Sequence, residues 1–188
     1  RSFRRGAQAF QFKASDPNGD QLAFRIRLIP DRGEPIELEK AWKEKFFTFD
    51  TLPVPDGRYR VEVTASDAPS QPFNGALSTP LRSAPFTTVD HTPPAISDLT
   101  ALREGDGLHV RFTARDETSV LKEAMVSGDG DAWLHIQPED RVFDAPSERF
   151  DVVLPRDRTR GDRILVRVMD AHNNEQSAMV VIGEAKKR

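Results

Sequence analysis

Leu108-His-Val-Arg-Phe-Thr-Ala-Arg-Asp116 places an apolar residue at every second position and ends on an aspartate. A period of two belongs to a β-strand with one buried face and one wet face, because successive side chains point to opposite sides of the pleat. About 100 residues earlier, Phe10, Phe12 and Ala14 alternate with Gln11 and Lys13, so that Phe12-Lys-Ala-Ser-Asp16 matches Phe112-Thr-Ala-Arg-Asp116. The match continues in order. Phe150, Val152 and Leu154-Pro155 echo Phe47, Phe49 and Leu52-Pro53. Ile164, Val166 and Val168 before Asp170 echo Val61, Val63 and Ala65 before Asp67. The same elements at one offset point to duplication of a single domain.

Two domains are therefore expected, at 1–91 and 92–188, with the boundary near Thr92. Between them Val89-Asp-His-Thr-Pro-Pro-Ala95 carries two adjacent prolines, which disfavour helix and hold the connection extended. No window sustains apolar residues at helical spacing for more than a turn or two, and turn residues recur about every 8 to 12 positions. The expectation is all-β, with each repeat a β-sandwich and a β-barrel as the structural alternative. Two local expectations follow. Asp16-Pro-Asn-Gly-Asp20 reads as a tight turn joining the strand at Phe10–Ala14 to a second strand at Leu22, Phe24, Ile26 and Leu28. Residues 36–45, where Glu, Leu, Lys and Ala cluster around Trp42, read as a short helix or an irregular crossover. The first repeat lacks a counterpart of the strand at 95–102, so that strand is expected to be absent, improvised from Arg1 to Arg5, or supplied from upstream.

Composition narrows the function. A hydrophobic fraction of 37% is enough apolar material for a pair of compact cores and too much for disorder. The 27 Lys and Arg against 30 Asp and Glu are scattered, with no basic stripe to track a phosphate backbone, so nucleic acid is not an expected partner. Basic residues gather only at Arg1, Arg4 and Arg5 and at Lys186, Lys187 and Arg188, where they read as solvated tails. No apolar run reaches the roughly 20 residues of a membrane-spanning helix, and no membrane insertion is expected. The chain starts at Arg1 rather than at Met, and the expectation is a segment of a longer or processed polypeptide. The absence of cysteine removes disulfides, thiolate metal sites and a cysteine nucleophile together.

Candidate sites are few. Asp16, Asn18 and Asp20 offer oxygen ligands at alternate positions, as a calcium loop would, although no glutamate stands at the twelfth position. The same residues make a strong turn without an ion, because Pro17 presets one dihedral and Asn18-Gly19 suits a left-handed one. Asp129 and Asp131 in Ser127-Gly-Asp-Gly-Asp-Ala-Trp133 form a weaker pair at a hairpin tip. His91, His109, His135 and His172 do not gather in sequence and read as surface residues, and no cofactor is expected. Trp42, flanked by lysines and glutamates, is the candidate exposed aromatic, able to stack on a sugar ring. Trp133 is expected to cover one edge of a core. Tyr59 starts the strand before Asp67, where sandwich folds place a tyrosine whose hydroxyl bonds to nearby backbone.

Thr64-Ala-Ser-Asp-Ala-Pro-Ser70, Ala76-Leu-Ser, Ser83-Ala-Pro-Phe86 and Val89-Asp-His-Thr-Pro-Pro94 together resemble fibronectin type III-like modules of bacterial exported proteins. The second repeat resembles the companion module, with Val168-Met-Asp-Ala-His-Asn-Asn174 where that family reads Asp-x-x-Gly-Asn. Asn173 replaces the glycine, a mild departure because Asn tolerates the left-handed conformation. The resemblance implies two tandem immunoglobulin- or fibronectin III-like sandwiches in an extracytoplasmic bacterial protein, periplasmic or secreted, C-terminal to a β-propeller. It implies a non-catalytic pair that spaces, supports or docks that upstream domain. A carbohydrate- or protein-binding module is the alternative, and an accessory part of a hydrolase ranks third. The motifs are turn and core motifs, and a fold of this kind hosts many unrelated roles.

Overall fold

A computed structural model describes residues 6–71, 75–83, 87–155 and 161–184. The terminal basic clusters, Arg1 to Arg5 as an improvised strand, and positions 84–86 of the Ser83-Ala-Pro-Phe86 run lie outside the described residues. Those residues are all-β, with strands and no helix among them. The chain divides into two compact units, Arg1–Val89 and Asp90–Arg188.

The first unit contains β1 (Ala7–Gln11), β2 (Ala23–Pro30), β3 (Ile36–Trp42), β4 (Phe46–Asp50), β5 (Gly57–Ser66), β6 (Ser78–Arg82) and β7 (Thr87–Val89). β1 and β4 pair antiparallel, with Phe10 opposite Phe47. The other sheet runs β3-β2-β5-β6, with β7 also on β5. Alternate residues of both sheets meet in one core, where Phe24, Ile26, Leu28, Phe47, Phe49, Val61 and Val63 are buried. Burying each such side chain stabilises by about 1.5–3 kcal/mol relative to leaving it in water.

Two local expectations are corrected. The strand at Phe10 does not form a hairpin with the one at Phe24: β1 pairs with β4, while β2 lies between β3 and β5. The turn at Asp16–Asp20 therefore carries the chain from one sheet to the other, and the apolar alternation that both strands share says which face is buried but not which strand is the neighbour. Residues 36–42 are a strand, not a helix or a crossover. Ile36, Leu38 and Trp42 all lie at even offsets and pack on the core, and Ile36 pairs with Leu28 and Trp42 with Phe24. Burial on one face of a pleat and an antiparallel ladder with β2, bulged on either side of Ile26, outweigh the helix preference of Glu, Lys and Ala, which amounts to tenths of a kcal/mol per residue.

Tyr59 is buried, and its hydroxyl donates to the Pro55 carbonyl at 2.8 Å, closing a short loop at the start of β5. Burial holds the phenol above its ordinary pKa, with the Asp56 carboxylate adding to the effect.

The second unit contains β8 (Ala95–Glu104), β9 (Gly107–Arg115), β10 (Leu121–Ser127), β11 (Leu134–Ile136), β12 (Ser147–Pro155), β13 (Arg163–Asp170), β14 (Glu175–Val181) and β15 (Gly183–Glu184). One sheet runs β12-β9-β8-β15 and the other β11-β10-β13-β14. Leu108, Val110, Phe112 and Ala114 of β9 are buried, as the alternation requires, and face Val126, Ile164, Val166 and Val168 in a common core. Phe112 and Phe150 stand opposite each other in register with their rings stacked at 4.4 Å.

Strand for strand, β1 corresponds to β9, β2 to β10, β3 to β11, β4 to β12, β5 to β13 and β6 to β14. β8 has no counterpart among the described residues of the first unit. In the second unit it fills a defined place, paired with β9 along its length and packed against β14, with Ile96 and Leu99 on the core.

Candidate functional site

Aspartates close the strands at one end of each core. Asp116 follows β9, and its Oδ1 accepts the amide N–H groups of Thr118 (2.9 Å) and Ser119 (2.7 Å). Asp170 ends β13, and its Oδ1 accepts those of His172 (2.7 Å) and Asn174 (2.9 Å). A short carboxylate that satisfies the amides of the following turn replaces the ladder bonds lost where a strand stops. Asn173 occupies the left-handed region at φ 68°, the position for which the sequence substitutes Asn for Gly. That turn brings His172 and Asn174 back over the strand end.

Asp90, the first residue of the second unit, joins the same place. Its backbone carbonyl accepts Asn174 Nδ2 at 3.1 Å, and the same amide donates to Asp170 Oδ2 at 2.8 Å. The Asp90 carboxylate accepts the Thr92 amide through Oδ1 at 3.2 Å. Its Oδ2 is buried without a hydrogen-bond partner, 3.6 Å from His172 Nδ1, which is likewise buried and unpartnered. One donor atom each from Asp90, Asp170 and His172 lies within 4.8 Å of the others. Burial holds the Asp90 carboxyl above the ordinary aspartate range. The Asp116 and Asp170 carboxylates push the same way, against the Ser119 hydroxyl and the Thr92 amide. Two carboxylate oxygens and one imidazole nitrogen converging on one point form a donor set suited to a divalent cation.

The residues singled out from sequence fall elsewhere. Asp16 Oδ1 accepts the amides of Asn18 at 2.7 Å and Asp20 at 3.2 Å, and Gly19 is left-handed at φ 76°. Asp16, Asn18 and Asp20 thus form a turn in which the first carboxylate already serves the backbone. Trp42, expected to be exposed, is half-buried: its ring meets Phe47 edge-on at 5.2 Å and its Nε1–H donates to the Phe46 carbonyl at 2.9 Å. The cause is again β3, whose register with β2 turns Trp42 toward the core. Asp129 makes the tip of the β10–β11 hairpin, accepting the Asp131 and Ala132 amides, which together with Ser127 keep its carboxyl below the usual range. Trp133 lies under the Arg167 guanidinium at 4.3 Å and is not among the side chains packed on the core.

His109 lies between Glu104 and Asp151, and Arg111 donates to both acids at 3.0 Å. His135 Nδ1 is 3.0 Å from Glu123. Sequence reading missed the grouping of Asp90, Asp170 and His172 because it joins positions far apart in the chain. The available signal was that an aspartate ends each echoed strand and that Asp90 stands where the second repeat begins.

No protein-family model matches the chain, and no curated protein matches it. Among solved structures, a DUF3823 family protein from Bacteroides ovatus is similar at 12% identity and a TM-score of 0.31, covering 94% of this chain and 98% of that one.

Proposed function

We propose that the chain is a non-catalytic pair of fibronectin III-like β-sandwich modules that supports and docks an upstream domain of the same extracytoplasmic polypeptide. The observation that carries this reading is a flank of the first unit that no described strand covers. β1 pairs only with β4 among the described strands, whereas its counterpart β9 lies between β12 and β8. Beside β1 a groove of about 380 Å³ runs between Phe12–Pro17 on one side and Val63, Ala65, Leu77 and Leu81 on the other. Its place corresponds to that of Ile96 and Leu99 in the second unit, where β8 crosses from β9 to β14. Leu77 is 74% exposed and Leu81 54%, while Ala178 and Val180 of β14 are partly buried against their core. An apolar groove beside an open strand edge is suited to an added strand, in which main-chain bonds give affinity and alternate side chains fill the groove.

The occupant is an extended segment of the same polypeptide preceding β1, in the manner of β8, and a β-propeller upstream is the domain that segment would tether. A glycan reading leaned on an exposed Trp42, and its half-buried, edge-on ring supports that reading less well. Methyl and amide NMR of this chain and of the full natural polypeptide test the proposal. The Leu77 and Leu81 methyls and the β1 amides should lose solvent exposure in the longer protein. Unchanged exposure at all of them would refute it.

A further inference from the structure

We propose that Asp90, Asp170 and His172 form a zinc-binding site in the second unit. The site is built rather than accidental in three respects. Asp90 is only 5% exposed, and its Oδ2 points into the cluster with no hydrogen-bond partner. A buried carboxylate oxygen left unpaired is costly, so a cation there satisfies a standing deficit. Asp170 is fixed in advance: Oδ1 holds the amides of His172 and Asn174, and Oδ2 accepts Asn174 Nδ2, its one partner among the described residues, leaving lone-pair capacity toward the cluster. Asn174 in turn bonds both Asp170 and the Asp90 carbonyl, acting as the outer partner that holds two ligands in place.

The donors select the metal class. Calcium and magnesium take oxygen alone in most protein sites, whereas an imidazole nitrogen suits zinc and its neighbours. Tetrahedral zinc with bonds of about 2.0–2.2 Å sets its ligand atoms roughly 3.3–3.6 Å apart. His172 Nδ1 and Asp90 Oδ2 are already 3.6 Å apart, and all three donors lie within 4.8 Å, so closure needs shifts of less than about an ångström. The His172 side chain is 27% exposed, which leaves a route for the ion and room for water as a fourth ligand. Asp116, whose Oδ1 serves the Thr118 and Ser119 amides, adds negative charge beside the site without being a ligand.

Titration of the chelator-treated full chain with zinc chloride at neutral pH, followed by calorimetry and by histidine-side-chain NMR, tests this. One zinc should bind per chain, shifting the His172 ring nitrogens. His172→Gln and Asp90→Asn should each weaken binding by more than the about 10–100-fold typical of outer-shell changes. His109→Gln, which alters the other histidine flanked by two carboxylates, should leave it unchanged. Trp133 fluorescence melts establish that each variant folds, and the NMR shift on the unaltered chain stands if Asp90→Asn does not. No saturable binding, zinc affinity that survives His172→Gln, or calcium binding equally well and insensitive to that change would overturn the assignment.

Discussion

Phe150→Ala should unfold the second unit at markedly lower temperature and leave the first unit where it was. Phe150 is 1% exposed, stacks on Phe112 at 4.4 Å and touches the ring of Phe143 at 6.1 Å between centroids. Truncating a buried phenylalanine removes its transfer free energy and leaves a cavity that a paired strand cannot collapse into, at a cost of about 3–5 kcal/mol. For a domain of roughly 100 residues each kcal/mol moves the midpoint by about 4–8 °C, so the fall is about 12–40 °C. The residues of the second core are distinct from those of the first. The two tryptophans report the units separately, Trp42 in the first and Trp133 in the second, and the single replacements Trp42→Phe and Trp133→Phe assign each signal. The expected result is a large shift at Trp133 and none at Trp42. A joint shift of both, or a fall of less than about 1 kcal/mol, would refute the argument that the second core is tightly packed and separate from the first.

Three further outcomes are expected. Tyr59→Phe removes the bond to the Pro55 carbonyl and should cost about 0.5–1.5 kcal/mol, read as a lower urea midpoint at Trp42, with no change at Trp133. Thermal melts of the first unit in calcium and in chelator should coincide, since Asp16 already bonds the amides of Asn18 and Asp20. A calcium ion held there at a hundred times its Kd would add about 2.7 kcal/mol, a plain shift at Trp42. Below about pH 5 the second unit should lose stability, and added salt should reduce the effect. Arg111 hydrogen bonds hold the Glu104 and Asp151 carboxyls below their ordinary values. Their contribution is therefore present above the unfolded carboxylate range near 4 and disappears as pH falls through the depressed folded values. A Trp133 midpoint that does not respond to pH between 5 and 3, or an effect insensitive to salt, would contradict this.

The residues that carry strand character were legible because alternation is local. Leu108, Val110, Phe112 and Ala114 declare one buried face whatever lies beside them, and the echo of Phe12–Asp16 at Phe112–Asp116 declares the repeat. The turn aspartates were legible for the same reason, since Asp16, Asp129 and Asp170 bond amides two to four residues onward. Pairing was not legible. Only tertiary structure decided that β1 lies beside β4 rather than β2, because the period of two fixes which side chains go inward and says nothing about which backbone supplies the ladder. Tertiary structure likewise made residues 36–42 a strand against their helix preference and drew Trp42 inward. The meeting of Asp90 with Asp170 and His172 lay furthest beyond sequence: it depends on where β13 ends, on the left-handed turn at Asn173 and on Asn174 reaching back to the Asp90 carbonyl. Short-range chemistry thus sets each strand's faces and each turn. Convergence of distant side chains is a property of strand order, which no local pattern encodes.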